Sequence, residues 1–229
     1  MCVRNFTLAC CVLLAFLGLA LAPAPVVAQD PIKVAGDLYK VISENDQVRI
    51  LDVRLAPGQK TAMHSHPDLV AVILRPGKTK WTTADGKSRE SEPGTKRGSV
   101  IFMNAETHIS ENTGNTRLQV ILVEFKKPAP GADRGAAPSL PAPFTQVADN
   151  PHARVFEGSP TPGTKIAEHT HGDHIIIALT NAVVEVTDKD GKPESVTFKR
   201  DSAQFSGPAT HSAVVKGRSR ARLIDIELK

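Results

Sequence analysis

Cysteine is nearly missing from this 229-residue chain: Cys2, Cys10 and Cys11 all fall within the first eleven residues. The rest of the chain therefore has no disulfide, no thiol nucleophile and no soft thiolate ligand. Aromatic residues are scarce too, at 4%, and the net charge is only +4. Lys and Arg form no patch interleaved with aromatics, which excludes nucleic acid as an expected partner. Long apolar runs are absent after the first 28 residues. The run from Leu8 to Leu21 follows Arg4 and precedes Val26-Val27-Ala28, the three parts of a secretory signal peptide over residues 1–28. It is short for a spanning helix of about 20 residues. The expectation is cleavage, no membrane partner afterwards, and a periplasmic or secreted protein with a charge of +3 once Arg4 is lost.

Histidine is used with unusual economy. The stretch Pro57-Gly58, five residues, His64-Ser65-His66, one residue, Asp68 returns as Pro162-Gly163, five residues, His169-Thr170-His171, one residue, Asp173. The shift of 105 residues also relates Arg49 to Arg154 and Asp85-Gly86-Lys87 to Asp190-Gly191-Lys192. Late in each copy His108 matches His211 at a shift of 103, so six of the eight histidines are paired. Such self-similarity marks a duplicated unit. Side chains two apart on a strand share a face, so each His-x-His pair projects two imidazoles together. Neutral imidazole is the commonest protein metal ligand.

The units are expected over residues 31–126 and 144–229. Between them, residues 127–143 hold five prolines and read as an extended linker. Residues 31–44 precede the first unit as a short helix or an arm against a neighbouring unit. Strand-like runs follow at 48–55, 69–74, 79–83, 100–103 and 118–125, then at 175–179, 182–187, 195–198 and 221–228. Asp85-Gly86 and Asp190-Gly191 are hairpin turns; the Asp188-Lys189-Asp190-Gly191 fragment lacks the distal Glu of a calcium loop. Many short strands with regular turns predict an all-β sandwich or barrel.

Gly58 to His64-Ser65-His66, followed by Gly98 and His108, resembles the two motifs of the cupin superfamily. Gly163 to His169-Thr170-His171, followed by Pro208-Ala209-Thr210-His211, resembles a second, degraded set, so nearly the whole chain is similar to a bicupin. The resemblance implies two tandem jelly-roll barrels. It also implies a metal held by the two histidines of the first motif, a Glu shortly after, and the histidine of the second. That Glu would fall at residue 70 or 71 and at 175 or 176, where the chain has Val70, Ala71, Ile175 and Ile176. The missing carboxylate argues against manganese chemistry of the oxalate-decarboxylase type.

Two ligand sets follow: His64, His66 and His108, and His169, His171 and His211. Three imidazoles with an open position suit a divalent transition metal such as Fe, Zn, Ni, Cu or Mn. Asp68 and Asp173 are candidates to replace the lost Glu or to orient a histidine ring. His174, opposite Leu69 in the repeat, is a candidate fourth ligand or proton donor. An apolar pocket is expected beside the metal, lined by residues such as Val70, Val72, Ile175 and Ile177. Glu124 and Glu227 read as strand-edge salt-bridge partners, His152 as a surface residue, and Trp81 and Phe102 as core. No catalytic residue is assigned. The chain is expected to be a metal-dependent enzyme acting on a small molecule, dioxygenase-like or hydrolytic or isomerising. The alternative is a non-catalytic periplasmic protein that binds a metal or small molecule. Whether the barrels pair with each other or in a homo-oligomer stays open.

Overall fold

The computed structural model describes residues 29–127 and 138–229. The signal-peptide reading and most of the linker lie outside them. Among the described residues no helix is long and apolar enough to cross a membrane. The chain starts with a one-turn helix, α1 (Pro31–Ala35), capped by the Asp30 carboxylate on the Ile32 amide. It continues through β1 (Tyr39–Glu44), β2 (Val48–Leu55), β3 (His64–His66), β4 (Leu69–Arg75), β5 (Thr79–Thr83), β6 (Ser88–Glu90), β7 (Val100–Met103), β8 (Glu106–Asn112) and β9 (Leu118–Phe125). The second half runs through β10 (Phe144–Asp149), β11 (Ala153–Gly158), β12 (Lys165–His171), β13 (His174–Ala178), β14 (Ala182–Asp188), β15 (Pro193–Phe198), β16 (Ala203–Ser206), β17 (Ala209–Lys216) and β18 (Leu223–Leu228).

The first half folds into a five-stranded sheet, β1-β2-β9-β4-β7, and a four-stranded sheet, β3-β8-β5-β6. Adding nine to each strand number gives the sheets of the second half. The protein is all-β, two tandem jelly-roll barrels. Both motif stretches enter through the same turn. Pro57-Gly58 and Pro162-Gly163 put glycine at φ +75° and +82°, with Gln59 N–H on Ala56 O and Thr164 N–H on Thr161 O. Proline then positive-φ glycine is the type II signature.

Strand parity divides the apolar residues among three cores. In β2, β4 and β9, residues Leu51, Val53, Leu55, Leu69, Ala71, Ile73, Leu118, Val120 and Leu122 face into the first barrel. The alternate residues, Val48, Ile50, Val70, Val72, Ile121, Val123 and Phe125, face the other way and meet Val155, Ile175, Ile177, Ile224 and Ile226 of the second barrel. The third core fills the second barrel around Ile166, Val184, Phe198 and Val215. Every residue of β9 is buried, because both faces of its sheet are covered. The shared core takes eight buried residues from each half. At roughly 1.5–3 kcal/mol per large side chain, neither five-stranded sheet would keep that face in water. The apolar sheet faces thus pair within one chain.

Parity corrects one expectation. Val70, Val72, Ile175 and Ile177 do not line a pocket; they belong to the core between the barrels. Polar contacts across the same seam correct three more. Asp68 accepts from His152 Nε2 at 2.9 Å and from the Ala105 amide at 2.7 Å. Asp173 accepts from Gln47 Nε2 at 2.8 Å. Gln47 and His152 occupy the same place in the repeat, as do Asp68 and Asp173, so these are two copies of one inter-barrel strut. The duplicated aspartates neither join nor orient the histidine triads. His152 is not on the surface: it is 6% exposed and stacks on Phe125 at 4.4 Å and 3°. Arg97 adds a further tie, its guanidinium reaching Leu74 O at 2.5 Å, Leu179 O at 2.6 Å and the Asp201 carboxylate.

Candidate metal centre

The first barrel holds its three histidines on neighbouring strands of the smaller sheet. His64 of β3 lies directly opposite His108 of β8, and His66 shares the face of His64 two residues on. The ring centroids are 4.8, 5.0 and 5.4 Å apart, and the potential ligand atoms lie within 4.8 Å of one another. All three rings are buried, at 0%, 5% and 2% exposure. Each Nδ1 has an acceptor: Ala62 O at 2.8 Å for His64, Glu124 Oε1 at 2.5 Å for His66, Glu106 Oε2 at 2.9 Å for His108. Those acceptors assign the ring protons to Nδ1 and leave three Nε2 lone pairs. Burial pushes His64 and His108 down to about 4, and the neighbouring imidazoles reinforce the shift. Those two rings are therefore neutral near pH 7, the form a metal requires. A divalent transition metal fits this donor set.

Two groups that sequence reasoning undervalued complete the site. Glu124 lies in β9 between β2 and β4, 1% exposed, and not at a sheet edge. It does pair with Arg49, at 2.5 Å, and Arg49 continues to Asp30 at 2.6 Å. Its other oxygen fixes the His66 ring. Burial alone would raise the Glu124 pKa, but the bonds from His66 and Arg49 outweigh it and hold the carboxyl below its ordinary value. Tyr39, delivered by the arm strand β1, is 3% exposed and places its hydroxyl 3.1 Å from His64 Nε2. The arm is tied to the motif by Ser65 N–H on Gln29 O at 2.9 Å. Residues 31–44 form the short helix and then a strand paired with β2 of their own unit, and nothing in their pattern showed that Tyr39 reaches the triad.

Beside the triad opens a cavity of about 810 Å³ lined by Leu69, Ala71, Val120, Leu122, Met103 and Trp81 among others. Ala71 is the inward-facing member of the pair where the cupin Glu was expected, so the carboxylate is replaced by open apolar space. Trp81 forms part of this wall, with the Arg89 guanidinium 5.1 Å over its ring, and does not belong to an apolar core. Phe102 borders the cavity while packing against the inter-barrel core. Arg89 also clamps Glu106 with two bonds of 2.7 and 2.6 Å, which in turn holds His108.

The second barrel brings its triad together in the same way but leaves it more exposed. His169 lies opposite His211, and the three centroids are 4.6 to 5.0 Å apart. His169 and His211 are only partly buried. His171 Nδ1 meets the Glu227 carboxylate and His169 Nδ1 meets Ala167 O at 2.7 Å. At the Glu106 position stands Ala209, and at the Tyr39 position Phe144, which packs against Gly158; a Cβ there would come within 2.4 Å of the Phe144 ring. His171 and His211 are pushed down to about 4, chiefly by burial. His174 is buried, stacks on His171 at 4.3 Å, and donates from Nδ1 to Gly172 O at 2.9 Å. Asp225 is 3% exposed, and burial, with the nearby Glu227 charge, pushes its pKa well up. Burial likewise pushes Glu227, fully buried and also no edge residue, up to about 7. The Asp188–Gly191 segment is the expected hairpin turn, with Asp188 accepting from the Asp190 and Lys192 amides.

Two jelly-roll barrels, each with a His-x-His strand facing a third histidine, define a cupin-fold protein. No family model and no curated protein matches the sequence. Solved structures do match. AerE from Microcystis aeruginosa aligns with a TM-score of 0.56 at 13% identity, over 84% of this chain and 97% of that one. The oxalate decarboxylase of Lactobacillus farciminis, in its formate complex, aligns at 0.56 and 12%, over 80% and 77%. A cupin 2 conserved barrel domain protein from Leptotrichia buccalis aligns at 0.50 and 15%, over 83% and 88%. At these identities the likeness establishes the fold.

Proposed function

We propose that this chain is a metal-dependent enzyme of the periplasm or extracellular space, dioxygenase-like, whose N-terminal barrel acts on a small, largely apolar substrate. The observation that carries the reading is the convergence of three buried imidazoles, their Nδ1 atoms all occupied, at the wall of an apolar cavity. His64, His66 and His108 would hold the ion, and a divalent transition metal there supplies a Lewis acid toward a carbonyl, phenolic or oxygen ligand. The chain's own residues do the rest. Glu124 and Glu106 hold two of the rings in the metal-binding tautomer. Leu69, Ala71 and Leu122 exclude water and favour an apolar substrate body. The Tyr39 hydroxyl, 3.1 Å from His64 Nε2, is placed to hydrogen-bond a substrate oxygen once a metal takes that nitrogen. The C-terminal barrel, with a more exposed triad and an interior filled by its own apolar core, is not assigned the chemistry.

The apolar lining also suits a protein that binds a small molecule without turnover. Oxygen uptake and product formation separate the two. The chain loaded in turn with Fe, Mn, Co, Ni, Cu and Zn is offered phenols, small carbonyl compounds and carboxylates. Turnover that His108→Ala abolishes and His211→Ala retains is expected. A fully loaded, inert protein that still binds the compounds would leave the binding reading in place.

A further inference from the structure

Two inward-pointing positions of the large sheets carry apolar residues in one barrel and ligand-type residues in the other. Leu69 and Leu122 line the cavity of the first barrel; the repeat puts His174 and Asp225 in their places. Both are buried, as is His171 beside them, and one ligand atom from each of the three lies within 4.8 Å of the others. His174 gives its Nδ1 proton to Gly172 O, which leaves Nε2 as a lone pair. Asp225 Oδ2 is 3.8 Å from His171 Nδ1. Asp225 Oδ1 is buried with no hydrogen-bond partner among the described residues. A buried, unpartnered carboxylate oxygen costs about 1–3 kcal/mol or more, and a cation removes that cost. Glu227 brings a second carboxylate to the same ring.

We infer that the C-terminal barrel holds a divalent transition metal deeper than its own triad, on His171, His174 and Asp225. Two imidazoles and a carboxylate form a harder donor set than the three imidazoles of the first barrel and suit Mn, Fe, Co, Ni or Zn. The position goes beyond the function proposed for the N-terminal barrel and does not depend on it. The duplicated halves would then have divided the work: one interior cleared for a substrate, the other filled with ligands for an ion.

Co2+ is the probe, titrated into the metal-free full chain at pH 7 with binding followed by visible absorption and calorimetry. The parent is compared with His174→Leu/Asp225→Leu, which installs the pair found at positions 69 and 122. The expected result is two Co2+ per parent chain and one in the variant, the second lost or weakened roughly a hundredfold. The metal-free variant should melt no lower than the parent, since it loses an unpartnered buried acid, so lost binding will not mean lost folding. Two ions in both proteins, or one in both, would overturn the inference. One ion in the parent and none in the variant would support it while sinking the N-terminal reading.

Discussion

Glu124 and Glu227 occupy equivalent places and face equivalent histidines, yet replacing each by glutamine should have unequal effects. In Glu124 one oxygen accepts His66 Nδ1–H and the other accepts Arg49 Nε–H, both at 2.5 Å, at 1% exposure. A glutamine keeps one acceptor and turns an NH2 toward the other donor. If the amide oxygen stays with Arg49, the NH2 faces His66 Nδ1, and the ring must move its proton to Nε2, the atom a metal needs. One charge-assisted bond is lost, worth about 1.5–3 kcal/mol, and the Arg49 charge loses a buried partner, retaining Asp30. A cost of about 3 kcal/mol to the metal-free protein is expected, and a loss of roughly 10- to 100-fold in metal affinity at the first site. Glu227 is held near half-neutral at pH 7 by burial, so Glu227→Gln removes less charge and should cost about 1 kcal/mol or less. Urea denaturation of both metal-free variants, with Zn2+ competition titrations, makes the comparison. Equal costs, or a Glu124→Gln protein whose first site binds Zn2+ as the parent does, would refute the orienting role.

Tyr39→Phe reproduces the residue found at position 144. It should destabilise the metal-free chain by about 1 kcal/mol and, because metal no longer has to displace a hydroxyl from His64 Nε2, tighten Zn2+ binding about fivefold; weaker binding would mean that the phenol is a ligand. His64, His108, His171 and His211 have folded-state pKa values of about 4 against the ordinary 6.5, so the unfolded chain binds more protons between those limits and stability falls as pH drops through that window. Glu227, raised from 4.5 to about 7, and Asp225, also raised, act in the opposite sense but are outnumbered, so the metal-free protein should melt lower at pH 5 than at pH 7.5, and an unchanged or higher melting temperature at pH 5 would contradict the buried neutral rings. Asp68→Asn should weaken the inter-barrel strut by about 1 kcal/mol with metal content unchanged by mass spectrometry; lost metal would put Asp68 back in the site.

Much of the strand framework was legible because its signals are local. Val48–Leu55, Thr79–Thr83, Val100–Met103 and Leu118–Phe125 begin and end where their β-rich runs do, and each Asp-Gly dipeptide turns a hairpin. The convergence of the histidines was legible for the same reason, since i and i+2 on one strand share a face. What failed was the choice of face. Leu69 to Leu74 is an unbroken apolar run, buried on both sides, so alternation could not say that Ala71 looks into the barrel and Val70 into the seam. Asp68, Asp173 and His152 failed because their partners lie across that seam, in the other copy of the repeat. Glu124 and Glu227 stand near the ends of their units in sequence, yet β9 and β18 run down the middle of their sheets. Tyr39 sits on an arm whose counterpart in the second half carries Phe144, so the repeat did not mark it, and only the closure of β1 onto β2 brings it to His64.

On the function proposed, three imidazoles of the first barrel share one ion. The direct measurement is the metal content of the full chain, reconstituted with Fe, Mn, Co, Ni, Cu and Zn separately, beside His64→Ala and His108→Ala. Loss of one equivalent in both variants, with the fold retained by circular dichroism, is the predicted result. Metal content equal to the parent in either variant would contradict it.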